Sequence, residues 1–275
     1  MVLRHVVVAT DDSPAGRSAV RAGLDLAERA CARLTVMRVA GVVVGSECAA
    51  GGLERLQRWV EAELTPDTPV PVELGIAFGL PGIEICRFAE QRGADVLVLG
   101  RKHRSAVARL LAGDTADAVV RRSRVPCLFV EEGALPMSRL LVALDGSDRG
   151  LRVYGSARGF ARSIGADVTV VTVEHSDAPP AVERISPLPL TRSSRLRQEL
   201  EARATMTEAP AARETAVSIR QGRPVHEILA EIAECGADAL AFGCHRGGPS
   251  GILDSGGIAR HLLHNAPVSV LTIPL

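Results

Sequence analysis

The stretch HVVVATDDSPAGRSAVRAGLDLAERACARLTVMRV, residues 5–39, decides the fold, because it returns as LLVALDGSDRGLRVYGSARGFARSIGADVTVVTV at 140–173. In each copy an unbroken apolar run reaches a carboxylate, Asp11 or Asp145, and then a hydroxyl, Ser13 or Ser147. A segment of helical period follows, and then a second apolar run. Continuous rather than alternating hydrophobicity marks strands buried on both faces, the habit of parallel sheets with helical crossovers.

The repetition runs through the chain. GLPGIEICRFAEQRGADVLVLG (79–100) returns as GRPVHEILAEIAECGADALAFG (222–243), and RRSRVPCLFV (121–130) returns as LHNAPVSVLTI (263–273). Asp11 pairs with Asp145, Gly79 with Gly222, Gly100 with Gly243 and Pro126 with Pro267. The first offset is 145 − 11 = 134 and the second 222 − 79 = 143, so the second copy has 143 − 134 = 9 extra residues between these points. We assign them to the Pro-rich HSDAPPAVERISPLPL, a loop signal. EEGALPMS (131–138) joins the copies, giving domains at 1–134 and 138–275.

In copy one the strands read HVVVAT, RLTVMRV, PVELGIAF, DVLVLG and PCLFVEE, with helices near Ser13–Ala30, Gly52–Leu64, Gly82–Arg92 and Thr115–Arg122. Five strands in βα order predict an α/β fold, a doubly wound five-stranded parallel sheet in each half. Ligands of such sheets sit beyond the carboxyl ends of the strands, where strand order reverses. The loops that matter follow the first and fourth strands: TDDSP and GRKHR in copy one, LDGSD and GCHRG in copy two.

Composition narrows the function. Over 275 residues, 47% apolar and 23% charged, the chain reads as an ordinary globular protein of two domains. With 32 basic and 32 acidic residues it offers no large basic face for nucleic acid. The basic clusters RKHR (101–104) and RRSR (121–124) read as solvated edges or anion-loop walls. No window approaches the roughly 20 apolar residues of a spanning helix, and the first apolar run is too short for a secretory signal. Cys31, Cys48, Cys86, Cys127, Cys235 and Cys244 make no CxxC pair and no disulfide or metal spacing, which points to a reducing cytoplasm. His261 and His264, three apart without an HExxH arrangement, are only weak evidence for a metal, and we name no metal ligand. No GxSxG elbow and no P-loop occur, and we find no catalytic set. Trp59, beside Leu56 and Val60, reads as a packing or subunit-contact residue.

Four blocks, each present twice in the same order, resemble the universal stress protein family in its tandem form. They are VAxDxS after the first strand (Val8 to Ser13, Val142 to Ser147), GxP before the third helix, the ADxLxxG fourth strand, and the last strand in VPCLFV or APVSVLT. The resemblance covers nearly the whole chain. It implies two flavodoxin-like (adenine nucleotide alpha hydrolase-like) halves paired as a pseudo-dimer within the chain, with association of two chains left open. CLFVEE and VSVLTIP are then the pairing edges. It also implies a ligand, ATP or another adenine nucleotide, gripped by Gly-x-x-Gly, nine residues, then Gly and Ser or Thr. Asp11 and Asp145 resemble the family's adenine- or ribose-facing aspartate; Asp followed by Ser is equally a turn start and helix cap.

In copy one Gly100 fits the first glycine of that pattern, His103 stands at the second, Gly113 fits, and Asp114 replaces the hydroxyl. Thr115 brings a hydroxyl one position late. In copy two Gly243 and Gly256 fit, Arg246 stands at the second glycine and Gly257 at the hydroxyl, while His245 and Gly247 widen the loop's anion-binding repertoire. Glycines let the backbone approach phosphate oxygens, and a helix N-terminus favours an anion. A carboxylate at that start accepts the first-turn N–H groups itself, worth about 1 kcal/mol. It also repels a second anion by roughly 1–4 kcal/mol. Copy one is therefore expected to hold a triphosphate poorly. Copy two, despite Asp254 nearby, is the favoured site. Three functions stay open: a nucleotide-responsive stress protein, a nucleotide-free scaffold or dimerisation protein, and a slow ATP hydrolase.

Overall fold

In the computed structural model the described residues are 2–41, 46–63, 69–101, 115–133, 136–174, 198, 216–244 and 257–275. The first half runs β1 (His5–Thr10), α1 (Pro14–Ala30), β2 (Arg33–Ala40), α2 (Ser46–Glu63), β3 (Val72–Phe78), α3 (Pro81–Gln91), β4 (Val96–Gly100), α4 (Thr115–Arg122) and β5 (Cys127–Val130). The second runs β6 (Arg139–Leu144), α5 (Asp148–Ser163), β7 (Asp167–Glu174), β8 (Ala216–Gln221), α6 (Pro224–Cys235), β9 (Ala239–Cys244), α7 (Ile258–Asn265) and β10 (Ser269–Pro274). Helix α2 starts six residues earlier than its apolar pattern suggests. The expected Pro-rich insertion at 175–190 lies outside the described residues.

All ten strands form one sheet in the order β3-β2-β1-β4-β5-β10-β9-β6-β7-β8. Within each half the pairing is parallel and the order is 3-2-1-4-5, which differs from the 2-1-3-4-5 of flavodoxin itself. Strand order therefore reverses between β1 and β4, and again between β6 and β9. The halves meet where β5 and β10 pair antiparallel, Leu271 opposite Leu128. Those are the edges expected to pair.

The register corrects one sequence pairing. Leu97 faces Cys127 and Leu240 faces Val270, so the offset of 143 continues into the last strands. It carries Pro126 onto Ser269, and Pro267 onto Arg124. The shared proline had drawn the two last strands two residues out of step.

One apolar layer (Val8, Val20 and Leu56 in the first half, Tyr154 and Phe160 in the second) covers one sheet face under α1, α2 and α5. The other (Val7, Ile85 and Phe129, then Ile228, Leu240 and Leu262) lies under α3, α4, α6 and α7. Each layer runs across both halves without a break, so the β5–β10 seam is part of the core. Arg29, at the end of α1, donates to Met137 O at 2.8 Å and also to Ile164 O at the end of α5.

Candidate functional site

The loops after β1 and β6 are built alike. The Asp145 carboxylate accepts Ser147 N–H at 3.0 Å and Ser147 O–H at 2.7 Å; Ser147 Oγ in turn accepts Gly150 N–H at 3.2 Å as N-cap of α5. Asp11 holds Ser13 in the same way, and Ser13 Oγ accepts Gly16 N–H at 3.1 Å. Both aspartates thus shape the turn and fix the helix cap. The residue after each adopts positive φ, 71° at Gly146 but 61° at the non-glycine Asp12. Asp12 is ion-paired with Arg38 at the end of β2. The equivalent positions in copy two are Gly146 and Thr172, so this pair bounds the crevice mouth in copy one alone.

Behind these turns the halves part company. In copy two a cleft of about 240 Å³ opens at the carboxyl ends of β6 and β9, with Asp145 at its rim and Val153, Val171, Ile228, Gly243 and Leu262 among its walls. In copy one the helix lies tighter against the strand. A Cβ on Gly100 would lie 2.1 Å from Ala15 O, whereas on Gly243 it would meet only side-chain tips, Val153 Cγ2 at 2.7 Å and Leu275 Cδ1 at 2.9 Å.

The cause lies in the helices. A Cβ on Gly16 would come within 2.5 Å of Thr10 Oγ1, and one on Gly23 within 2.2 Å of Val8 Cγ2, so α1 beds directly onto β1 and β4. With the offset of 134, Ala15, Ala19 and Gly23 become Arg149, Val153 and Ala157 in α5. The larger side chains hold α5 off the sheet. The face of small residues in α1 is the legible sign of this close approach.

The helix starts differ too. Gly257 is the N-cap of α7 at φ 69°, and among the described residues no side chain caps that helix. Ile258 and Ala259 of its first turn line the cleft. Helix α4 begins at Thr115, half-buried, as expected. The structure therefore gathers Asp145, Gly243 and the start of α7 around one cleft, while in copy one Gly100 lies against the Ala15 carbonyl of α1. His103, Gly113 and Asp114, like His245, Arg246, Gly247, Asp254 and Gly256, lie outside the described residues.

One expectation is overturned. Arg101 is no solvated edge: it is buried at the seam between the halves, ion-paired with Glu131 and bonded to three carbonyls of copy two. His264 is engaged by protein, its Nε2 lying 2.9 Å from Asp117 Oδ1 while Arg260 reaches Asp117 Oδ2 at 3.0 Å. Burial raises the Asp117 pKa, but the His264 hydrogen bond and the charges of His264, Arg260 and Arg121 outweigh it and hold the carboxyl below its ordinary value. Asp117 was detectable as a charge on the buried face of α4; nothing in RKHR singles out Arg101. Among the described residues no group of three His, Cys, Asp or Glu could hold a metal. Nor is any helix there long and apolar enough to cross a membrane.

Fold and site define a duplicated, doubly wound α/β protein whose halves are fused through one sheet, with an open crevice at the second switch point. The sequence pattern of the Universal stress protein family matches residues 3–131 and 137–274, and the chain belongs to that family in tandem form. A universal stress protein of Methanocaldococcus jannaschii is 25% identical over 141 residues, 47% of this chain and 82% of its own. The fold is shared with a universal stress protein from Archaeoglobus fulgidus at TM-score 0.74 and 20% identity, over 98% of both chains. It is shared too with a functionally unknown protein from Pseudomonas aeruginosa at TM-score 0.68 and 16% identity, over 99% of this chain and 92% of that one.

Proposed function

We propose that the chain is a nucleotide-responsive stress protein that binds an adenine nucleotide in its second half only and carries out no chemistry on it. The observation that carries this reading is the cleft of about 240 Å³ in copy two, set against the Ala15 carbonyl pressed onto Gly100 in copy one. An adenine ring fits the apolar walls formed by Val153, Val171, Ile228 and Leu262, where aliphatic side chains can sandwich a flat heterocycle. Asp145 at the rim meets the base or ribose. Gly243 and Gly256 let the backbone approach the phosphates, which Gly257 places at the uncapped start of α7. His245, Arg246 and Gly247 complete the anion cradle. The free thiols of Cys31, Cys86, Cys127, Cys235 and Cys244 fit the reducing cytoplasm in which we place the protein. We assign it neither nucleic-acid nor membrane partners.

One observation favours a second reading, a scaffold that acts through protein contacts without nucleotide. The Asp145 Oδ1 acceptor is already engaged twice by Ser147. Isothermal titration of the full chain with ATP, ADP and adenosine separates the two. One site per chain supports the nucleotide reading, and no heat at millimolar nucleotide together with no thermal shift favours the scaffold. Phosphate release above blank would instead revive a slow hydrolase.

A further inference from the structure

We infer that Arg101 of the first half is a positioning residue for the ligand cleft of the second, acting as the C-terminal cap of α7 across the domain seam. This rests on the nucleotide reading above. Arg101 N–H donates to Val130 O at 2.8 Å, which extends the β4–β5 pairing by one residue and fixes the backbone. From there the guanidinium crosses the seam. Its Nη1 donates to Leu263 O at 2.8 Å, and its Nη2 to Ala266 O at 2.7 Å, to Val268 O at 2.8 Å and to Glu131. Leu263 O is among the last carbonyls of α7, which have no partner within the helix, and a cation there also meets the negative end of the helix dipole.

The equivalent helix of copy one needs no such help. Subtracting 143 carries Ala266 onto Ser123 and Val268 onto Val125. Ser123 Oγ donates to Val125 O at 2.7 Å and accepts Val125 N–H at 3.0 Å, so in copy one the turn after α4 is held by its own side chain. Copy two has alanine at that position, without a hydroxyl, and its α7 end is held from outside. The help is not returned, because Arg101 maps onto Cys244, which cannot reach across with charged donors. Helix α7 has only 8 residues, two turns, and its opposite end contributes Ile258 and Ala259 to the cleft. A helix that short moves as one body when one end is released. The first half thus steadies the cleft of the second.

The test uses the full chain with ATP as probe and two readouts, the dissociation constant by calorimetry and the hydrogen exchange of α7 amides without nucleotide. Arg101→Gln is expected to raise the dissociation constant about tenfold and to speed exchange in α7 while leaving α5 unchanged. Adding Ala266→Ser, which copies the self-cap of copy one, restores most of the affinity. Arg101→Lys retains an intermediate affinity, and Val20→Ala, a matched loss of stability in α1, leaves affinity at the wild-type value. Absence of heat with the wild type overturns the nucleotide reading. Unchanged α7 exchange in Arg101→Gln overturns the cap, and faster exchange with unchanged affinity overturns the positioning role. An affinity loss that Val20→Ala reproduces, and that Ala266→Ser does not relieve, reduces Arg101 to general stability.

Discussion

The same substitution at two equivalent positions should give two different phenotypes. Gly100→Ala would set a Cβ 2.1 Å from Ala15 O and 2.3 Å from its carbonyl carbon, so strand and helix must part by about 0.9 Å (3.0 − 2.1). Neither can yield easily: β4 is paired on both sides, and α1 is bedded on the sheet through Gly16 and Gly23. Overpacking a tight core costs about 1–3 kcal/mol, and a backbone clash belongs at the upper end. About 3 kcal/mol corresponds to a fall in Tm of roughly 6–12 °C, taking 2–4 °C per kcal/mol for a chain of this size class. Gly243→Ala meets only Val153 Cγ2 at 2.7 Å and Leu275 Cδ1 at 2.9 Å, side-chain ends that can rotate away. Its cost in stability should stay below about 1 kcal/mol. The new methyl enters the cleft instead, and nucleotide affinity should fall about tenfold, or about 1.4 kcal/mol. Thermal unfolding and ATP titration of both variants give the answer. If Gly100→Ala unfolds at the wild-type temperature, α1 does not lie tight against β4. If Gly243→Ala loses stability without losing affinity, the cleft is not the site.

Asp117→Arg sets three cations together at the α4–α7 contact and should cost about 2 kcal/mol, discounted because Arg260 is largely exposed. Adding Arg260→Asp should recover at least half of that in a double-mutant cycle read by urea unfolding. Acidification should weaken the fold in two steps of one sign. Burial first, then the Arg33 charge, hold His5 below 6.5 against the opposing Arg92 carbonyl and the charges of Glu73 and Asp95. Its contribution is therefore complete above pH 6.5 and lost as pH falls through the folded value, and Asp117 behaves likewise below 3.8. His5→Gln should flatten the fall in urea midpoint between pH 7 and 5. Arg246→Glu should abolish ATP binding by calorimetry, since it reverses the loop's charge where the phosphates are proposed to lie. His103→Gly with Asp114→Ser repairs the glycine pattern of copy one and should raise its affinity measurably. The gain should stay small, because the Ala15 carbonyl still lies against Gly100; a second tight site appearing in the titration would refute that reasoning.

The sequence exposed most of the fold and only part of the site. The repeat, the strand runs and the edges that pair could be read because parallel buried strands leave continuous apolar runs and each appears twice. The Pro126–Pro267 match failed by two residues because a proline before a strand marks a turn, not a register, and the ladder follows the apolar faces. Asp11 and Asp145 were correctly placed at the switch points, but the sequence could not tell a ligand-facing carboxylate from one that holds Ser13 or Ser147. That depends on where the oxygens point. Arg101 was misread because a basic cluster has no inherent inside. Its burial follows from the antiparallel docking of β5 on β10, which brings together residues as far apart as Cys127 and Thr272 (272 − 127 = 145).

The charges at the seam bear on why the two halves pair within one chain. In an antiparallel, pseudo-twofold junction each position faces its own equivalent or a neighbour of it. Asp117 maps onto Arg260 with the offset of 143, and these two residues meet at 3.0 Å. Two first halves docked in this way would set Asp117 against Asp117, and two second halves Arg260 against Arg260. Like charges there disfavour both alternatives, and the Arg101 cap, present on one side only, works in the same direction. Specificity of this kind needs a repulsive element as well as an attractive one. The duplicated chain therefore carries, at one interface, a reason for its copies to differ that is independent of nucleotide. Once the halves were fixed as unequal partners, one helix could bed close onto its strands while the other stood off beside the cleft.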